Sequence, residues 1–238
     1  SFFKMEKQAK QRVCESRQEV RSTGLRVFSQ WKKLLRSSIC FYYKYGWMEI
    51  MRVGFDNEKY LKMQSAHIME RIEKFGDKLY LEFGGKLFDD FHASRVLPGF
   101  EPDSKLRMLM KLSDRAEIVI VINAADIEKN KIRGDLGITY DEDVQRLMQE
   151  FESRGLYVGS VVITQYQGQQ SADGFIKRLG DLGVAAYRHY MIEGYPANIP
   201  LIVSEDGFGK NDYIPTERSL IVVTAPGPGS GKMATCLS

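Results

Sequence analysis

Seven residues near the C-terminus, Pro226-Gly-Pro-Gly-Ser-Gly-Lys232, have the composition of an anion cradle. Glycines let a backbone fold tightly enough for successive N–H groups to face one point. A helix start just beyond would add unpaired N–H groups and the positive end of its dipole. Lys232 would add a full charge at the edge. The candidate binding residues are therefore Gly227, Gly229, Ser230, Gly231 and Lys232. A second polar cluster lies far upstream, with Asp89, Asp90, His92, Ser94 and Arg95 within seven residues, bounded by Pro98-Gly99. Carboxylates beside an imidazole can move protons, and Arg95 can clamp a carboxylate or a phosphate. Asp89, Asp90, His92 and Arg95 are the catalytic candidates, expected to line the same crevice as the glycines. The plainer reading is a loop in which the Asp residues cap local N–H groups.

An apolar run, a Gly-rich loop and a Lys at a helix start resemble a phosphate-binding P-loop. That pattern reads G-x-x-x-x-G-K-[ST]. Here Pro226 stands at the first glycine position and Met233 at the Ser/Thr position, where no magnesium can be held. Thr235 is no substitute, because two residues along a helix turn the side chain by about 200°. Pro226 and Pro228 each remove an N–H donor. The motif thus points to a nucleotide or phosphorylated metabolite rather than to magnesium-assisted hydrolysis. The alternative is a turn that needs its glycines for shape alone.

The chain's 238 residues, 43% hydrophobic and 27% charged, suit a globular protein with a real core. No run approaches the ~18 apolar residues of a membrane span. The net charge of +3 is unevenly spread. Residues 1–50 hold eleven Lys/Arg against four Asp/Glu, whereas the remainder holds 23 against 27. The larger part therefore gives no reason to expect nucleic acid or an anionic membrane as a partner. Cys14, Cys40 and Cys236 are scattered, forming neither a disulfide framework nor a zinc site, so a reducing, cytoplasmic setting is expected.

The elements that must position these residues follow from periodicity. Asp56 or Asn57 can cap a helix reaching about Phe75, with Leu61, Ser65, Ile68, Ile72 and Phe75 at helical spacing and Gly76 as its stop. Residues 78–83 read as a strand ending in Gly84-Gly85. Asp103 or Ser104 opens a short helix. Residues 117–122 are apolar at consecutive positions, as buried parallel strands are, and lead to Asn123-Ala-Ala-Asp126 at a strand end that would face a ligand crevice. Residues 126–137 read as a polar loop. Thr139 and Glu142 have capping-box spacing for a helix with Val144, Leu147, Met148 and Phe151 on one face. A strand over 156–164, a helix capped by Ser171, and a strand over 184–187 with Arg188 and His189 at its end follow. His189 can face the crevice, although a strand-end histidine is more often hydrogen-bonded structure. Residues 219–224 form the final strand.

Strands alternating with helices predict an α/β fold, a mostly parallel sheet with helices on both faces that ends in a P-loop-like strand, Gly-rich loop and helix start. The one clear boundary lies near residue 50. Residues 1–50 form a basic extension, read as non-native or disordered. Met51 opens a fresh strand-like segment, so the expectation is a native start there with upstream sequence read through in frame.

Residues 51–60, 84–100 and 226–232 together resemble a bacterial family of cytoplasmic proteins, domain-of-unknown-function family 1846. The likeness covers residues 51–238. It implies a cytoplasmic protein whose chain continues past Ser238, so that 51–238 is an N-terminal half truncated at its C-terminus. Proteins of this kind are sometimes labelled ATP-dependent peptidases. No His-Glu-x-x-His is present, His67, His92 and His189 are far apart, and no metal site is expected. Two readings remain. One is a phosphate- or nucleotide-binding protein with a small-molecule ligand. The other is a non-catalytic scaffold, a homo-oligomer at full length.

Overall fold

The computed structural model describes residues 54–76, 78–83, 87–88 and 90–238. All but Gly54 fall in a unit running over Phe55–Ser238. The expected extension, Gly84-Gly85-Lys86 and Asp89 lie outside the described residues.

Helix α1 (Asn57–Phe75) starts where Asp56 accepts from the Lys59 N–H at 2.9 Å and stops at Gly76, whose φ of 89° is the left-handed value that glycine tolerates. Leu61, Ile68 and Ile72 are its buried stripe, while Phe75 at the frayed end is exposed. Strand β1 (Leu79–Glu82) precedes two short helices, α2 (Phe91–Val96) and α3 (Ser104–Met110). Ser104 ties α3 to α1 by donating to Asn57 Oδ1 at 2.5 Å.

Strand β2 (Ala116–Asn123) is buried along its whole length, as its unbroken apolar run predicts. The next segment departs from the expected loop. Asn123 caps a short helix α4 (Ala124–Glu128) by accepting from the Ala125 N–H at 2.8 Å. A two-stranded antiparallel arm follows, β3 (Ile132–Arg133) and β4 (Ile138–Thr139). Spacing missed this arm because each strand is too short to show a period. Helix α5 (Tyr140–Glu152) then starts with Glu142 accepting from the Thr139 N–H at 2.9 Å, one arm of the expected box.

Strand β5 (Tyr157–Tyr166), helix α6 (Gln170–Asp181) and strand β6 (Ala185–Tyr190) come next. Gln169, not Ser171, sits at the α6 N-cap, and β6 runs past His189. One helical turn, α7 (Ile199–Ile202), leads to β7 (Leu220–Thr224) and the terminal helix α8 (Lys232–Leu237).

The main sheet is parallel throughout, in the order β1-β7-β2-β5-β6. Side chains alternate across it. Ile118, Ile120, Ile122, Leu220 and Val222 join the larger core with α1, α3, α5 and α6. Val119, Val121, Ile221 and Val223 turn to the other face, where Ile214 and Cys236 of α8 cover them. Helices thus flank the sheet on both faces. Among the described residues no helix is long and apolar enough to cross a membrane.

Candidate functional site

The chain leaves β2 toward the larger core, by way of α4 and α5, and leaves β7 toward the opposite face, by way of α8. Adjacent parallel strands whose continuations part in this way open a crevice at their carboxyl ends. The Gly-rich loop, residues 225–231, occupies that position.

Its shape is held from within and from β5. Ser230, fully buried, donates its hydroxyl to the Gly227 carbonyl at 2.8 Å. Thr164 donates to the Ser230 carbonyl at 2.7 Å. Gly229 and Gly231 have φ of 75° and 84°, which other residues adopt only with strain. A Cβ at Gly227 would run into the Tyr140 hydroxyl. So each predicted glycine is required by geometry, and the Ser230 hydroxyl already has an acceptor.

The loop's amides differ. Ser230 closes a turn on Gly227, but among the described residues no acceptor takes the backbone N–H of Gly227, Gly229, Gly231, Lys232, Met233 or Ala234. The next to find one is Thr235, whose N–H reaches the Gly231 carbonyl at 2.9 Å. Thr235 also donates its hydroxyl to that carbonyl at 3.1 Å, which removes it as a stand-in for the missing Ser/Thr. Lys232 is mostly buried, its ammonium 3.6 Å from Glu82 at the end of β1.

Two cavities flank the loop, and Lys232 lines both. One, about 350 Å³, lies over the ends of β1, β5 and β6, with Glu82, Gln165, His189 and Met191 in its wall beside Gly231. His189 is buried and its Nε2 has no hydrogen-bond partner among the described residues. Burial holds its pKa below the ordinary histidine value, against the opposing pull of the Asp212 backbone and carboxylate. Gln165 sits in the left-handed region at φ 51°, where β5 breaks register with β6 before Tyr166, and accepts from Asn123 Nδ2 at 3.0 Å. No sequence signal marks Gln165 beyond its place at a strand end.

The second cavity, about 320 Å³, lies between α5 and the first half of the loop. It brings in Arg133 from the β3–β4 arm and Arg146 from α5, neither of which spacing singled out. Asp143, fully buried on α5, accepts from Arg133 Nη1 at 2.7 Å and from Arg146 Nε at 2.8 Å. Burial opposes the charge on Arg133, but hydrogen bonds from it to Asp135 and Asp143 hold its pKa above the usual range. A signal existed for Asp143: it lies three residues after Tyr140 and four before Leu147, on the buried stripe.

The described members of the upstream polar cluster have other contacts. Asp90 caps α2, accepting from the Ala93 N–H at 3.2 Å, and pairs with Lys105 at 2.7 Å. Burial pushes its carboxyl up, and the bonds from Lys105 and Ala93 outweigh that and hold it below the usual carboxylate range. His92 is exposed. Arg95 is also exposed and donates through Nε to the Phe91 carbonyl at 3.1 Å. Neither cavity beside the loop is lined by Asp90, His92 or Arg95.

Fold and loop together define an α/β protein with a parallel sheet and a glycine-rich turn at the crevice between its central strands. The chain belongs to the family described as "Domain of unknown function DUF1846, N-terminal", whose model matches residues 53–238. It is similar to a UPF0371 protein of Streptococcus sanguinis, 60% identical over 187 residues, which cover 79% of this chain and 38% of that protein. A UPF0371 protein of Streptococcus equi subsp. equi is 60% identical over 186 residues, 78% of this chain and 38% of the relative. One from Streptococcus pyogenes serotype M5 is 59% identical over the same length and shares. The chain therefore spans well under half the length of these curated relatives.

Proposed function

We propose that this protein binds a phosphorylated small molecule, a nucleotide or a phosphorylated metabolite, at the Gly-rich loop in a cytoplasmic setting. One observation carries the reading. Backbone N–H groups with no acceptor among the described residues lie at Gly229 and from Gly231 to Ala234, beside a mostly buried Lys232 at the carboxyl edge of a parallel sheet. Such donors, with a lysine at the rim, favour an oxyanion. Met233 where a magnesium-holding hydroxyl would stand makes the role binding rather than metal-assisted hydrolysis. In the full-length protein, Lys232→Ala is expected to abolish calorimetrically detected nucleotide binding. ATP titrations that match between variant and wild type would rule the reading out.

The loop's internal contacts support a second reading, a non-catalytic scaffold that assembles with copies of itself. Ser230, Thr164 and the Tyr140 contact account for the turn without any ligand. A thermal-shift panel of phosphorylated metabolites separates the two. A ligand at 100 times its Kd stabilises by about 2.7 kcal/mol, whereas the scaffold gains nothing from any of them.

A further inference from the structure

We propose that the cavity between α5 and the first half of the Gly-rich loop is a second anion subsite centred on Arg146. The ligand then carries two anionic groups, phosphoryl or carboxylate, one on each side of Lys232. The first group rests on the loop reading above; the Arg146 subsite stands on its own geometry.

Asp143 positions the guanidinium from behind. One carboxylate oxygen takes Arg133 Nη1 and the other takes Arg146 Nε. Arg133 is then fully engaged, because its Nε and Nη2 reach Asp135 at 3.0 and 3.2 Å. Arg146 is not. Its guanidinium lies over the Phe88 ring, and its Nη2 is buried with no hydrogen-bond partner among the described residues. A buried guanidinium N–H without an acceptor is costly, and natural structures rarely leave one so. A turn of the side chain toward the cavity lets an oxyanion there supply that acceptor, and the planar fork of Arg suits phosphate and carboxylate oxygens.

The lining agrees. Arg133, Arg146 and Lys232 contribute cations, and Phe88, Leu147 and the loop prolines contribute neutral wall, with no carboxylate among the described lining residues. Pro226 and Pro228 bring no N–H donors to this side. The backbone cradle of the loop's second half is thus replaced here by a side chain held in place.

The test uses full-length protein, with pyrophosphate and inorganic phosphate as probes. Arg146→Gln is expected to weaken pyrophosphate binding tenfold or more, while phosphate binding at the loop changes less than threefold. Pyrophosphate affinity unchanged by Arg146→Gln overturns the subsite. Crystals soaked in tungstate give a readout that does not depend on the variant folding. Density within hydrogen-bond reach of Arg146 Nη2 is expected together with density at the loop amides. Density at the loop alone overturns the Arg146 subsite. Density at Arg146 alone leaves the subsite standing and sinks the loop reading, and density at neither sinks both.

Discussion

His189 is a buried base with one ring nitrogen unpartnered among the described residues, and its protonation has a calculable direction. Burial depresses its pKa in the folded chain relative to the ordinary 6.5. Below about pH 6.5 the unfolded chain binds a proton that the folded chain refuses, so stability falls as the pH drops and levels off below the folded value. Above that pH the residue contributes no slope. Urea melts of the full-length protein between about pH 7.5 and 5 should show this loss, and His189→Gln should reduce it. An identical slope in the variant would mean that other groups carry the dependence. At the same scale, Asp143 explains why the cationic cavity was hard to foresee. An acidic residue in the first turn of a helix reads as a partner for the helix dipole. Its burial depends on Arg133, which arrives from an arm of two-residue strands with no visible period.

Among the elements, β2 illustrates how a strand can be buried on both faces and still hold a charge. Glu117, at its start, is 2% exposed, and its carboxylate accepts from the N–H groups of Glu217 and Arg218 at 2.8 and 3.1 Å. That bond fixes the approach to β7. On β5, Gly159 stands at the register shift between Val158 and Ser160, where an added Cβ would collide with the same carboxylate. Gly159→Ala should therefore push Glu117 off its two donors and destabilise the fold by about 1–3 kcal/mol. Denaturant melts measure it, and unchanged stability would mean that the carboxylate has room to move. The elements most legible in the sequence were those with long apolar periods, such as α1, α5, β2 and β5. The Gly-rich turn was legible for a different reason: Gly229 and Gly231 occupy backbone angles that exclude other residues. Asp90 was legible as a cap, but its pairing with Lys105 was not, because nothing in the spacing joins α2 to α3.

At the scale of the molecule, the order β1-β7-β2-β5-β6 puts the last strand of the sheet beside the first. Alternation of strands and helices foretold a parallel sheet, but nothing local reveals which strand is inserted where. Strand order is set by which faces can be covered together, a property of the assembled layers. Because β1 pairs with β7 alone among the described strands, Leu79 waits for Leu220 before it gains a partner there. On a ribosome adding roughly 5–20 residues per second, the nascent chain carries an orphan edge for on the order of ten seconds. Proteolysis of stalled nascent chains should nick the segment around Tyr80 when translation halts before Ser219, and should spare it once Thr224 has cleared the exit tunnel.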